Sequence, residues 1–399
     1  MLKYILLSFY LIVGCLASQA QEKPYVVVLS LDGFRWDYPD SISTPNLHKM
    51  QIEGVRAKSL IPSFPSVTFP NHYTLATGLY PDHHGIVHNS FYDSDIAERY
   101  KIDDRKAVEN NRFYGGEPIW NTAEKQGVKA ATFFWVGSET DVQNMHPSYW
   151  KKYDKSISYE QRIDTVINWL SLPSAVRPHL IMFYIDEPDH TSHTYGPQST
   201  QTRAVVMHLD SLIGVFYEKL SHLPISKQVN FIVLSDHGMG AINNNRRINI
   251  DEYLPRRWFN NVNGHNPVYM LDANENCADS IINTLKTVKH IQVWKKADIP
   301  SHLHYGTNKR VGDIVIAADS AYSLAWKNSN ETNGGAHGYD PQNSDVHAIF
   351  FATGPAFKER YSQKSFQNID VYSIIAHILQ LSPAKTDGSI ENVKNMFTK

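Results

Sequence analysis

Tyr25-Val26-Val27-Val28-Leu29-Ser30-Leu31-Asp32 is a run of mostly β-branched and aliphatic residues that stops on an acid. It is apolar at successive rather than alternate positions. That is the pattern of a strand buried on both faces, as in a parallel sheet covered by helices on each side. Similar short apolar runs occur at Lys129 to Trp135, His179 to Ile185, Asn230 to Leu234, Asp313 to Ala317 and His347 to Ala352. Helix-like stretches at Pro118 to Gln126, Tyr159 to Leu170, Thr200 to Leu220 and Ile369 to Leu379 lie among them. The alternation predicts an α/β fold with a mostly parallel central sheet and helices on both faces. No linker or repeat divides the chain, so residues 24–399 read as a single domain. The irregular, Asn-rich stretch 240–333 reads as a smaller insertion within it.

Composition agrees with a folded chain: 399 residues, 42% hydrophobic and 20% charged. Lys and Arg number 38 against 40 Asp and Glu, so there is no basic field to hold a nucleic-acid polymer. Residues 1–20 have the layout of an export signal: Lys3, an apolar run from Tyr4 to Leu16, then Ser18-Gln19-Ala20 suited to cleavage before Gln21. This places the mature protein in the periplasm or outside the cell. That run is too short to span a bilayer, and no later segment is long and apolar enough, so no transmembrane helix is expected. Ile12-Val13-Gly14-Cys15 also resembles a bacterial lipoprotein box, which would leave a lipid anchor on Cys15. Cys277 then has no partner, so the core and bound metals must hold the fold without a disulfide framework.

The chemistry sits where strands end. Asp32 closes the first run, Asp186 and Asp189 follow Ile181 to Ile185, and Asp236-His237 follow Phe231 to Ser235. A lone Asp after a strand is usually a turn former. Ligands of open α/β sheets bind beyond the carboxyl ends of the strands, so three acidic endings, two of them with histidines, point instead to a metal centre. Asp189 and His193 are four apart and share a face if Pro188 opens a helical turn. His337, in Gly334-Gly335-Ala336-His337-Gly338, lies in what reads as a flexible loop able to approach an ion. Pro70 suits a first helical position and Gly78 a helix end, which puts Thr68 or Phe69 in the N-cap region of a short helix. Thr68 is then either a cap or a nucleophile, and an alcohol needs a metal to be a competent nucleophile near neutral pH.

In order along the chain, Leu31-Asp32-Gly33-Phe34-Arg35, Thr68-Phe69-Pro70-Asn71-His72-Tyr73, Thr77 to Gly85, Glu187-Pro188-Asp189 with His193, Ser235-Asp236-His237-Gly238-Met239 and His337-Gly338-Tyr339 resemble the nucleotide pyrophosphatase/phosphodiesterase family of the alkaline phosphatase superfamily. The resemblance implies an alkaline-phosphatase-like fold and a two-zinc hydrolase with a threonine nucleophile, Thr68, working through a phosphothreonine intermediate. It also implies that Asp189, His193 and His337 hold one Zn2+, that Asp32, Asp236 and His237 hold the other with the oxygen of Thr68, and that Asn89 binds a phosphate oxygen. Mixed imidazole and carboxylate ligands suit zinc, and manganese or iron are compatible too. Only the family spacing selects Asp189 and His193 over Asp186 and His190. His72, His83, His84, His88, Trp135 and Glu117 read as capping, packing or supporting residues.

Phe69, Tyr153 and Tyr184 resemble the aromatic residues that sandwich the base in nucleotide-cleaving members, which implies a small-molecule nucleotide substrate cleaved to a nucleoside 5'-monophosphate. The departure is at Phe113-Tyr114-Gly115-Gly116-Glu117, where Gly115 stands in place of a Lys found in related enzymes and leaves base preference open. Phospholipid or glycerophosphodiester cleavage is the alternative within the family. A phosphate monoesterase would want a cation on the third phosphate oxygen, and no Lys or Arg lies between Lys58 and Arg99. A sulfatase would need a Cys/Ser-x-Pro-x-Arg run, which Ser66 to Pro70 is not. A non-catalytic metal-stabilised binding protein shares the metal expectation and differs only in having no active nucleophile.

Overall fold

The structure is a computed structural model that describes residues 23–326 and 333–398. The expected export segment and Cys15 lie outside the described residues. Among the described residues no helix is long and apolar enough to cross a membrane.

Eight strands form the main sheet, in the order Tyr361–Gln363, Gly54–Ala57, Phe350–Thr353, Val229–Leu234, Tyr25–Leu31, Leu180–Ile185, Ala130–Phe133 and Tyr149–Lys151. Tyr25–Leu31 is central and pairs in parallel with both neighbours. Phe350–Thr353 alone runs antiparallel to the strands beside it. Alternate side chains of the central strand feed two cores: Val26 and Val28 face one, while Tyr25, Val27, Leu29 and Leu31 face the other. Helices Ile119–Lys125 and Asp370–Ile378 close the first face. Tyr159–Leu170 and Thr200–Ser221 close the second. This is the α/β architecture that the unbroken apolar runs demand.

Three expectations need correction. The Asp313–Ala317 run is strand Ile314–Ala318, but it belongs to a separate antiparallel sheet with Phe259–His265, Val268–Ala273 and Ile291–Lys295. That sheet builds a third core of its own with Ile281, Ile282 and Leu285. The glycine run before His337 is an ordered strand, Gly334–Ala336, paired with Gly240–Ile242. A Cβ on Gly334 would lie 2.1 Å from the carbonyl oxygen of His193, so glycine is what lets this strand lie against that helix. Finally, the nucleophile-region helix spans Thr68–Thr77 with Val67 at the N-cap and no side-chain cap bond. Pro70 is its third residue, where a missing N–H costs nothing. Gly78, at φ 65°, ends it in the left-handed conformation with its N–H on the Thr74 carbonyl.

His84 ties that helix to the turn after it. Its Nδ1 accepts the Ile86 N–H at 3.2 Å, so the ring proton sits on Nε2, facing the Pro70 carbonyl at 3.1 Å and the Thr74 hydroxyl at 3.0 Å. Burial pushes its pKa from 6.5 down to about 3, against the weaker upward pull of the Pro70 carbonyl. A histidine held neutral in the folded state contributes stability that is complete above its unfolded pKa and is lost as pH falls through that value. Between pH 7 and pH 5, His84 should therefore lower folding stability by about 2 kcal/mol. His88, also pushed well down by burial, acts in the same direction. Denaturant unfolding at the two pH values checks this, with His84→Gln expected to flatten the loss.

Candidate active site

Leu31 is in register with Ile185, and Ser30 with Leu234, so Asp32, the 186–189 turn and Ser235-Asp236-His237 leave the sheet at one edge. Helix Asp189–Tyr195 begins after Pro188, as the spacing requires, and its i, i+4 pair brings His193 Nε2 to 3.4 Å from Asp189 Oδ2. His337 Nε2 lies 3.0 Å from His193 Nε2 and 3.4 Å from Asp189 Oδ1. His237 Nε2 lies 3.1 Å from Asp236 Oδ2, 3.5 Å from Asp32 Oδ1 and 3.2 Å from the Thr68 hydroxyl. Ligand atoms of Asp32, Asp236 and His237 fall within 4.8 Å of one another, and so do those of Asp189, His237 and His337. The seven side chains expected at a metal centre thus converge.

These groups are unbalanced without a cation. Nδ1 of His193 faces the Gly335 carbonyl, that of His337 the Ser66 carbonyl and that of His237 the Gly238 carbonyl, each at 2.9 Å. A carbonyl can only accept, so each Nδ1 carries the proton and each Nε2 turns a lone pair into the site, the arrangement that metal-binding histidines adopt. Two such lone pairs 3.0 Å apart repel unless a cation lies between them. Asp32 Oδ1, Asp189 Oδ1 and Asp236 Oδ2 are buried with no hydrogen-bond partner. Without an ion the His237 Nε2 lone pair takes a proton beside Asp236: burial lowers this imidazole, but the Asp236 charge outweighs burial and raises it above its ordinary value, and a metal ion would replace that proton. Burial, then the Asp236 and Asp189 charges, push the Asp32 carboxyl well above the carboxylate range. Burial works the same way on Asp236, but His237 and His72 hold it well below. Burial and the neighbouring His237 and His193 drive His337 well below an ordinary imidazole. Buried, partnerless carboxylate oxygens beside imidazole nitrogens aimed at them fit divalent metal ions, zinc among them.

Thr68 stands at the head of its helix without capping it, so the reading of Thr68 as a cap falls away. The hydroxyl faces His237 and lines a pocket of about 370 Å³ that also borders Asp32 and Asp189. Phe69, Tyr153 and Tyr184 line the same pocket, with Phe134, Val136, Ile102 and Val108. Tyr184 has a second role: its hydroxyl donates to Asp32 Oδ2 at 2.6 Å, and its ring meets His72 edge-on at 5.0 Å. The single cation lining the pocket is Arg105, paired with Glu139 and Glu109. Asn89 Oδ1 accepts the Phe69 N–H at 2.9 Å, which fixes the amide beside Thr68.

The nearby residues of equal spacing do something else. Asp186 pairs with Arg162 at 3.2 Å, and His190 lies exposed on the pocket rim. Trp135 donates to the His72 carbonyl at 3.0 Å, and Glu117 accepts from Thr122 and Lys125. His83 pairs with Asp387 at the surface. Gly115 packs on the His84 carbonyl and does not line the pocket. His72 is more than packing: its Nδ1 lies 3.0 Å from the Thr68 carbonyl and 3.2 Å from Asp236 Oδ2, so it braces both without entering the site. Its signal in the sequence is the i, i+4 spacing from Thr68. The separate four-stranded sheet also contributes His265, edge-on to His88 at 4.6 Å, while His88 Nδ1 accepts the Asn89 N–H. Nothing local in the sequence joins those two histidines.

The profile of the Type I phosphodiesterase / nucleotide pyrophosphatase family matches residues 26–340. The chain belongs to this family. It is 36% identical over 392 residues to a venom phosphodiesterase of Crotalus durissus collilineatus, covering 94% of this chain and 47% of that protein. It is 35% identical over 406 residues to ectonucleotide pyrophosphatase/phosphodiesterase family member 3 of Rattus norvegicus, covering 96% and 46%. The chain thus spans about half the length of these curated relatives. Among solved structures it resembles murine ectonucleotide pyrophosphatase/phosphodiesterase 5 at a TM-score of 0.90 and 32% identity, covering 94% of this chain and 100% of that one. An inactive variant of the murine protein, with threonine replaced by alanine, has been solved with AMP.

Because the family member's ligand groups come from segments that no covalent bond joins, metal ions should stabilise the fold as well as the site. An ion at 100 times its Kd adds about 2.7 kcal/mol. Chelation should therefore lower the melting temperature in calorimetry by several degrees, and adding back a divalent metal ion should restore it. Asp189→Asn should weaken that response.

Proposed function

We propose that the protein is an exported two-zinc hydrolase that cleaves phosphodiester or pyrophosphate bonds of nucleotides and releases nucleoside 5'-monophosphates. The observation that carries this reading is the position of the Thr68 hydroxyl, 3.2 Å from His237, the residue shared by the two groups of side chains that could hold metal ions, on the wall of an aromatic-lined pocket. Asp189, His193 and His337 would hold one Zn2+, and Asp32, Asp236 and His237 the other, together with Thr68 Oγ1. Bound there, the ions supply the positive charge that eases ionisation of the threonine hydroxyl and offsets charge on the leaving oxygen.

The chain's own residues do the rest. Thr68 Oγ1 bonds to phosphorus as the bond to the leaving group breaks, giving a phosphothreonine, and water then displaces the threonine. Asn89, its Oδ1 occupied by the Phe69 N–H, keeps its NH2 to donate to a phosphate oxygen. Phe69, Tyr153 and Tyr184 offer faces and edges on which a base can stack. Tyr184 also steadies Asp32, so its loss would disturb the metal centre as well as the slot. Arg105 is engaged with two glutamates and leaves no free cation in the pocket for a third phosphate oxygen, which supports a diester over a monoester. The murine neighbour solved with AMP supports the nucleotide class. Export, with or without a lipid on Cys15, agrees with the venom and ectoenzyme relatives.

Thr68→Ala removes the attacking oxygen but no helix cap. It should lower kcat by about three orders of magnitude or more, while elemental analysis finds the metal content unchanged and calorimetry a shift within about 1 kcal/mol. Thr68→Ser should retain more activity. Near-wild-type turnover in the alanine variant would rule out the covalent route.

Substrate class is tested by two esters that share a leaving group, thymidine 5'-(4-nitrophenyl phosphate) and methyl 4-nitrophenyl phosphate. The wild type should prefer the nucleoside ester. Tyr153→Ala should reduce kcat/KM for that ester about tenfold more than for the methyl ester, the loss of one stacked ring. A higher rate on a choline phosphodiester than on any nucleotide would favour the lipid-type alternative.

A further inference from the structure

We propose that Arg162 is the positioning residue of the nucleoside slot, acting from behind its wall without touching substrate. The proposal rests on reading the pocket as that slot.

Arg162 lies on helix Tyr159–Leu170 and is only 1% exposed. A guanidinium cannot shed its charge, so so deep a burial requires an acid and a full set of acceptors. Its Nη1 donates to the Tyr184 carbonyl at 3.0 Å and to Asp186 Oδ1 at 3.2 Å, and its Nε donates to the Ile157 carbonyl at 3.2 Å. Two of these acceptors belong to the segment that carries Tyr184 and, a few residues on, Asp189. The guanidinium also lies 5.0 Å from the centre of the Phe134 ring, within cation–π reach. Phe134 lines the pocket and supports Tyr153, whose ring meets it edge-on at 5.1 Å. Tyr153 is 38% exposed, so Phe134 is the firm side of its seat.

One planar group thus fixes two parts of the slot that lie far apart in sequence: the Tyr184 backbone through hydrogen bonds and the Tyr153 ring through Phe134. Phe134 sits at φ 66°, a left-handed conformation strained for an aromatic residue, which needs outside contacts to hold it. Arg162 provides one. A lysine would keep the charge, but a point donor cannot serve three acceptors in a fork and lie flat against a ring. Helix propensity explains none of this, since an Arg or Lys facing solvent would serve a helix as well.

The test measures kcat and KM of Arg162→Lys on the two nitrophenyl esters named above, beside its metal content. A loosened slot should raise KM for the nucleoside ester about tenfold, the effect of one lost stacking contact. It should leave kcat/KM for the methyl ester within about twofold and the metals bound. An equal loss on both esters would make Arg162 a general support of the fold and overturn the proposal, as would no change on either. Should Arg162→Lys fail to fold, Arg162→Gln removes the guanidinium fork from behind Phe134 and Tyr184 while leaving every pocket-lining residue in place. It should show the same split, and its absence overturns the proposal equally. A wild type that does not prefer the nucleoside ester would instead refute the nucleotide reading itself, so the two failures are distinct.

Discussion

Three carboxylates and three imidazole nitrogens are forced together at one edge of the sheet, and among the described residues no Lys or Arg pairs with them. Asp32, Asp189 and Asp236 each keep a buried oxygen without a partner, and backbone carbonyls pin His193, His237 and His337 with their lone pairs inward. Leaving such groups unpaired in a buried site is among the more destabilising arrangements a protein can hold. Bound divalent cations would offset that cost. Much of the surrounding structure serves to keep these six groups from relaxing apart.

That constraint explains details that otherwise look unrelated. The parallel pairing on both sides of Tyr25–Leu31 brings three acidic strand ends to one line. Gly334 and Gly335 let their strand lie directly on the helix that carries His193, and the Gly335 carbonyl then orients that histidine. His72 braces Asp236 and the Thr68 carbonyl, and Tyr184 braces Asp32 from the substrate side. Catalytic and binding functions are therefore mechanically joined. The ring proposed to stack on a base also steadies a proposed metal ligand, and the residue after Thr68, the proposed nucleophile, is held by the asparagine proposed to bind phosphate.

The sequence made the centre of this arrangement legible and left its frame obscure. Unbroken apolar runs that end at or just before Asp32, Asp186-Glu187-Pro188-Asp189 and Asp236 reveal both the sheet and the site, because a strand buried on two faces cannot hide its composition. Ile314–Ala318 has the same composition yet lies in another sheet, since apolar character reports burial and not which core does the burying. Gly54–Ala57 and Tyr149–Lys151 are too short and too charged to show as strands. The glycines before His337 suggested mobility, whereas they mark close approach of one backbone to another. Asp186 and Asp189 cannot be separated by spacing alone. What separates them is Arg162, which comes from a different helix and pairs with Asp186 on the pocket wall, while Asp189 stays in the cluster. Long-range contacts of this kind leave no local pattern.

The central claim is that two divalent cations complete the cluster. Its most direct test is anomalous diffraction at the zinc edge from crystals of the metal-replete protein. Two peaks should appear about 3.5–4 Å apart. One should lie within bonding distance of Asp189, His193 and His337, and the other within that distance of Asp32, Asp236, His237 and the Thr68 oxygen. A single peak, or none with the three carboxylates satisfied by protons or water, would contradict it.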